Sequence, residues 1–360
     1  MINKGRVVSH PGLILKDALE ELELSQSEFA YRSGLSIKNV STLVNGESNI
    51  TFDVALKLSA FFGNSVEGWI NLQTQYDLYQ NLISREEEYK EDWKIATLFD
   101  KRFFKELLDI EIDSSNKIES INSLRKCLSV ASLQNLKHQD MYAFYKTSIN
   151  KDLNEKNVIL RNAWITIAEN KARSISCSSF NKEKILENKK YLRSLTLLNP
   201  DKFYPLLTNF LKECGIKLVV LPYLSGSNIS GVTKWIDSEH AIMVAVNDCG
   251  KDADRFWFTV FHEIGHAIKN HKRHMTISYN KDQIEDQEEK EANEFASTLL
   301  IDQDKYLDFV KEDSFSVSSI KRFAKEQNVA DFIILGRLQK DNYLFWTSFQ
   351  NMKIKYKILF

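Results

Sequence analysis

His262-Glu263-Ile264-Gly265-His266 lies inside a largely apolar run, with Trp257 to Phe261 before it and Ala267-Ile268 after. No other stretch limits so sharply what this chain can become. On an α-helix, residues four apart sit about 40° apart around the axis and about 6 Å along it. His262 and His266 therefore share one face and can share one metal ion. Glu263 projects to the neighbouring side, within reach of a water on that metal. The pattern suits metal-assisted hydrolysis: two imidazoles hold Zn²⁺, the metal acidifies the water, and the carboxylate takes its proton. A lone His on an apolar face is usually a satisfied core residue. The whole pattern arises by chance in roughly one percent of chains of this length and composition.

A catalytic zinc site needs a third protein ligand and one open position. Downstream, Ile284, Ala292, Phe295, Ala296 and Leu299 recur at helical spacing and define a buried face. Glu285, Glu288 and Glu289 lie over that face, and Glu291 and Glu294 point away from it. Periodicity alone does not choose among the three. Glu289 has Asn293 four residues on, a polar group placed to orient a ligand from behind.

His262-Glu263-Ile264-Gly265-His266, followed by Glu289-x-x-Ala292-Asn293-x-Phe295-Ala296-x-x-Leu299-Leu300, resembles the ImmA/IrrE family of metallopeptidases. The resemblance spans roughly Thr196 to the C-terminus. It implies that Glu289 is the third ligand beside His262 and His266, with Zn²⁺ as the cofactor. Ile301-Asp302 stands where the family often has Pro, a minor departure.

The chain's 360 residues allow two or three domains. A net charge of −1 advertises neither nucleic acid nor membrane as a partner. The 12 glycines and 4 prolines favour a helix-rich protein. There is no apolar run of transmembrane length and no signal-peptide pattern. Cys127, Cys177, Cys214 and Cys249 are scattered without C-x-x-C spacing and read as free thiols of a reducing cytoplasm.

Residues 1–79 read as a compact helical unit. Leu13, Leu15, Leu19 and Leu22 start an apolar series. Ser25-Gln26-Ser27-Glu28 is a capping box opening a short helix with Phe29 and Ala30 inward. Ser33-Gly34-Leu35 is a turn. Ser36 caps the next helix, with Val40 and Leu43 inward, and Thr51 opens another. Helix, glycine turn and helix at this spacing make a helix-turn-helix. Its second helix offers Ser36, Ile37, Lys38, Asn39, Ser41 and Thr42 to base edges and phosphates of a major groove. Acids outnumber bases nine to six over residues 1–79, which predicts weak phosphate attraction by one copy. His10-Pro11-Gly12, Leu24-Ser25-Gln26, Asn45-Gly46, Ile50-Thr51 and Trp69-Ile70-Asn71-Leu72-Gln73 resemble the HigA-type antitoxin DNA-binding domain. That resemblance implies operator DNA as a partner, bound through a homodimer.

Residues 80–195 read as a helical connector: Glu86-Glu87-Glu88 on a solvated face, Trp93, Leu98, Phe103-Phe104 and Leu107-Leu108 on apolar faces, then a helical stretch through Tyr142, Phe144 and Tyr145 and another from Leu160 to Ala172. Residues 196–360 read as the metallopeptidase domain. A helix from Phe203 to Lys212 precedes three strands, 217–222, 231–236 and 241–246, ahead of the metal helix. An edge strand there would hold an extended peptide. Residues 343–356 read as a strand or hairpin. His271, His274, Tyr279 and Arg337 are candidates to stabilise an oxyanion.

The predicted fold is α+β and helix-rich: an all-α helix-turn-helix domain, a helical connector, and a zincin-like domain with a small β-sheet. The predicted function is a cytoplasmic DNA-binding regulator whose zinc-dependent endopeptidase domain cleaves a specific protein, a repressor, antitoxin or toxin partner. Its site is Glu263 as general base, His262, His266 and Glu289 on the metal, and Asn293 behind them. The alternative is an antitoxin-like repressor whose metal domain is a sensor or scaffold.

Overall fold

The computed structural model describes residues 8–138, 154–236, 240–247, 252–269, 275–279, 287–312 and 314–356. The chain divides into two compact units, Met1–Glu91 and Asp92–Phe360.

The first unit is all-helical: α1 (Pro11–Glu21), α2 (Gln26–Ser33), α3 (Ile37–Val44), α4 (Phe52–Phe62) and the part of α5 (Val66–Ala96) up to Glu91. Each start has a side-chain cap. His10 Nδ1 accepts from the Gly12 amide at 3.0 Å, Ser25 Oγ from Glu28 and Ser36 Oγ from Asn39 at 3.1 Å, and Thr51 Oγ1 from Val54 at 3.4 Å. Such caps satisfy amides that have no partner inside the helix. The box predicted at Ser25 is made in one direction only, because the Glu28 carboxylate pairs with Arg32. Gly34 ends α2 at φ +70°, the left-handed turn that lets α3 follow at once. Leu15, Leu19, Phe29, Val40, Leu43, Val54, Leu58 and Trp69 form the core. The apolar series of α1 is narrower than expected: Leu13 and Leu22 are exposed, because Leu15 and Leu19, four apart, already fill the inward stripe.

The second unit is built on a four-stranded sheet of order β1-β3-β2-β4, formed by β1 (Ile216–Leu221), β2 (Ile229–Ile236), β3 (Ala241–Asn247) and β4 (Met275–Tyr279). β1 and β3 are parallel, and the other pairs are antiparallel. Three strands precede the histidine helix as expected; β4 follows it and closes the sheet on the far side of β2. β1 and β3 are apolar throughout save Lys217 and Asn247, because both faces are covered. Their alternation splits the interior. Leu218, Val220, Val244 and Val246 face a core shared with α11 (Pro200–Glu213), α12 (Ala253–Ile268), α13 (Gln287–Leu300), α15 (Val317–Gln327) and α16 (Asp331–Lys340). Val219, Leu221, Met243 and Ala245 face a second core with α8 (Glu155–Arg173).

Residues 92–138 and 154–173, part of the stretch 80–195 read from sequence as connector, supply that second core together with the sheet. α8 is buried on every side from Val158 to Ala168, the mark of a central helix. Trp164 Nε1 donates to the Pro222 carbonyl at 3.1 Å, and Asn162 Nδ2 to Leu136 at 2.9 Å. Asp92, fully buried, accepts from Arg125 Nε at 2.6 Å, Ser132 Oγ at 2.7 Å and the Leu133 amide at 3.0 Å, fastening the end of α5 to this layer. Tyr142, Phe144, Tyr145 and Cys249 lie outside the described residues. Cys127 and Cys214 are free thiols.

The strand or hairpin expected over residues 343–356 is not formed. Asn342 and Phe349 take φ of +62° and +52°, which breaks an extended path. Lys355 makes an isolated bridge to Asp252, and Gln350–Met352 is a short 3₁₀ turn. Among the described residues, no helix is long and apolar enough to cross a membrane.

Candidate functional site

α12 is buried nearly from end to end, with Trp257 packed against Phe203 and Phe261 and its Nε1 donating to the Tyr356 hydroxyl at 2.9 Å. This packing fixes the rotation of the helix and so the direction of His262 and His266. α13 crosses α12 with Ala292, Phe295, Ala296 and Leu299 inward. They pack closely at Gly265, where a β-carbon would stand 3.1 Å from Ala292 Cα. Glu289, one turn before Ala292, is thereby brought over both histidines.

Three ligand side chains converge. His262 Nε2 and His266 Nε2 are 3.0 Å apart. Glu289 Oε2 is 3.3 Å from His262 Nε2, and Glu289 Oε1 is 3.4 Å from His266 Nε2. Around a tetrahedral ion bound at about 2.0–2.1 Å, ligand atoms stand about 3.3–3.4 Å from one another. The donor set therefore fits a divalent metal, and it is the one such group among the described residues. Behind it, His262 Nδ1 lies 2.8 Å from Asn293 Oδ1. An amide oxygen only accepts, so Nδ1 carries the proton and Nε2 presents its lone pair to the cluster.

Electrostatics follow from this crowding. Burial would raise the pKa of Glu289, but hydrogen bonds to His262 and His266 outweigh it and hold the carboxylate well below its usual range. Burial would lower that of His262, and the Glu289 and Glu263 carboxylates reverse the direction and raise it. Glu263 is fully buried, and burial pushes its pKa up against the pull of His266 and His262.

Glu263 meets residues that sequence reasoning missed. Thr233 Oγ1 lies 2.6 Å from Glu263 Oε2, and Ser278 Oγ 3.2 Å from His262 Nε2. Periodicity marked Thr233 only as a strand residue and gave no sign of Ser278, since neither belongs to a motif. Of the three candidate acids, Glu289 joins the histidines, Glu288 is half-buried beside it, and Glu285 lies outside the described residues. His271 and His274 also lie outside them. Tyr279 ends β4. Arg337 is engaged elsewhere: its Nε donates to Asp341 Oδ2 at 2.6 Å, and its guanidinium stacks 4.7 Å from the Tyr306 ring centre.

In the first unit, the residues expected on the recognition helix separate by role. Ser36 spends its hydroxyl on capping α3. Thr42 Oγ1 donates to the Asn39 carbonyl at 3.0 Å and meets Ser48 Oγ at 3.0 Å. Ile37 and Lys38 are exposed, and Asn39 and Ser41 are half-buried. Tyr31 on α2, 90 % exposed, is a further surface residue that the sequence did not single out.

Residues 212–329 match the M78 peptidase family through its IrrE N-terminal-like domain, and residues 15–69 match the helix-turn-helix family. Over 68 residues the chain is 37 % identical to the uncharacterized HTH-type transcriptional regulator YddM of Escherichia coli K12, a match covering 19 % of this chain and 72 % of that protein. Over 87 residues it is 34 % identical to antitoxin HigA-1 of Vibrio cholerae, covering 24 % of this chain and 82 % of that protein. Among solved structures, an addiction module antidote protein of the HigA family from Coxiella burnetii is 33 % identical over 24 % of this chain and 95 % of that one, with a TM-score of 0.23.

Proposed function

We propose a function for this chain, which belongs to the HigA-like helix-turn-helix regulators and carries an IrrE N-terminal-like, metallopeptidase-like domain: it binds operator DNA through α3 and hydrolyses a peptide bond of a specific protein partner in its second unit. The observation that carries the enzymatic half is the convergence of His262, His266 and Glu289 at 3.0–3.4 Å with a buried Glu263 beside them. A buried cluster of two imidazoles and two carboxylates stabilises no core by itself, because each charged group pays for its desolvation.

His262, His266 and Glu289 would hold zinc, with Asn293 fixing the His262 tautomer. When bound there, zinc supplies a Lewis acid and an acidified water. The Glu263 carboxylate takes the proton of the attacking water and returns it to the leaving amide nitrogen. β4, at the end of the sheet beside Glu263, offers backbone groups to an extended peptide segment. The partner would be a cytoplasmic repressor, antitoxin or toxin, and α3 would act from a homodimer, which doubles the phosphate contacts that one acidic unit lacks.

The enclosure of Glu263 favours a second reading, a repressor whose second unit is a metal-holding sensor. One experiment separates the two. The chain is co-expressed with the products of neighbouring genes, as wild type and as Glu263→Gln. The peptidase reading expects cleavage by the wild type and a loss of about 10²-fold or more in the variant, with metal content intact. Equal regulation and no cleavage by either protein, with the inducing signal present, leaves the sensor.

A further inference from the structure

The sheet face that meets α12 changes chemistry from one edge to the other. The strand register aligns two rows across it: Val220, Val246, Gly231 and Ser278 in one, Leu218, Val244, Thr233 and Thr276 in the other. On β1 and β3 the rows are aliphatic and pack into the core. On β2 and β4 they turn to glycine and hydroxyls, and there they meet Glu263. Threonine and valine are the same shape, so packing alone would be served by valine at a lower desolvation cost. Thr233 Oγ1 reaches Glu263 Oε2 at 2.6 Å and the Glu263 carbonyl at 2.9 Å. Ser278 Oγ stands 3.2 Å from His262 Nε2, and its hydroxyl helps hold the Glu263 pKa down against burial, so it neighbours both the base and the ligand cluster. Gly231 leaves the room: a β-carbon there would lie 2.3 Å from Glu263 Oε1 and 2.7 Å from its Cδ. Glu263 Oε1 and Thr276 Oγ1 are buried without a hydrogen-bond partner.

We propose that Thr233 and Ser278 are positioning residues for Glu263, holding its carboxylate beside the His262–His266–Glu289 cluster in a space kept open by Gly231. This rests on the peptidase reading above. Oε2 is the anchored oxygen, and Oε1, which has no partner, is the one that takes the proton.

The test reconstitutes the full chain with Co²⁺ and records its visible absorption, alongside cleavage of the co-expressed partners. Wild type, Glu263→Gln, Thr233→Val, Thr233→Ser, Ser278→Ala and Gly231→Ala are compared. Thr233→Val and Ser278→Ala should bind one Co²⁺ per chain, shift the visible bands in the direction that Glu263→Gln does, and lower cleavage by about 10-fold or more. Thr233→Ser, which keeps the hydroxyl, should restore both. Gly231→Ala should displace the carboxylate with the same signature. Wild-type bands and wild-type cleavage in folded Thr233→Val and Ser278→Ala overturn the positioning role. Should Thr233→Val not fold, Ser278→Ala and Gly231→Ala decide by the same criteria. The expected band shifts in a chain whose wild type cleaves nothing keep the positioning role and remove the peptidase reading.

Discussion

Gly265 of α12 and Ala292 of α13 approach so closely that a β-carbon on Gly265 would stand 3.1 Å from both the Cα and the carbonyl oxygen of Ala292. Gly265 lies between the two histidines, and Ala292 lies one turn after Glu289. The contact therefore sets the height of Glu289 above His262 and His266. Gly265→Ala gains about 1 kcal/mol of helix propensity. Overpacking against a backbone that cannot swing aside costs about 1–3 kcal/mol. The second effect should win, lowering the thermal midpoint and weakening metal affinity in a chelator competition. An unchanged affinity would show that α13 can slide without losing Glu289.

The ligand set separates neighbouring acids. Glu289→Ala should weaken metal binding by at least about 10-fold, as loss of one of three ligands requires. Glu288→Ala should leave it within about two-fold, because that side chain is not among the converging donors. Replacing His262 and His266 together by Ala should abolish binding. Metal content per chain, measured after dialysis, checks all three variants.

On α3 the two roles should come apart in an electrophoretic shift on the upstream promoter. Lys38→Ala should weaken binding across sequences and flatten its salt dependence, whereas Asn39→Ala should relax base preference. Ser36→Ala should instead cost about 1 kcal/mol of stability, since its hydroxyl caps the helix. A shift untouched by the joint replacement of Lys38, Asn39, Ser41 and Thr42 would place the DNA surface on another element.

Burial pushes the thiols of Cys127 and Cys214 up to about 11. The thiolate is the reactive form, so at pH 8 only about one part in a thousand is available. Alkylation of Cys127 by iodoacetamide should be slow at pH 8 and rise about 10-fold per unit up to pH 10, which peptide mass spectrometry can follow. Labelling at the rate of a free thiol at pH 8 would contradict the packing around α7 (Lys117–Cys127).

Local pattern carried a large part of this protein in its sequence. A period of 3.6 puts His262 and His266 on one turn whatever surrounds them, and puts Ala292, Phe295 and Leu299 on one buried stripe. The polar caps at Ser25, Ser36 and Thr51 act within four residues, so they mark helix starts without any knowledge of the fold. Apolar runs marked β1 and β3 because strands covered on both faces need no alternation. The choice among Glu285, Glu288 and Glu289 was not local. It depended on a family resemblance, and in the structure it depends on how closely α13 can approach Gly265. Only the chain path decided the rest. β4 joins the sheet beyond β2 after the chain has passed through α12, and that order, with its register, brings Ser278 opposite Gly231 and under Glu263. Thr233 and Ser278 are ordinary residues in ordinary strand patterns. They become the surroundings of a buried carboxylate because two strands 45 residues apart in sequence (Thr233 to Ser278) pair beneath one helix, a non-local contact that no residue periodicity encodes.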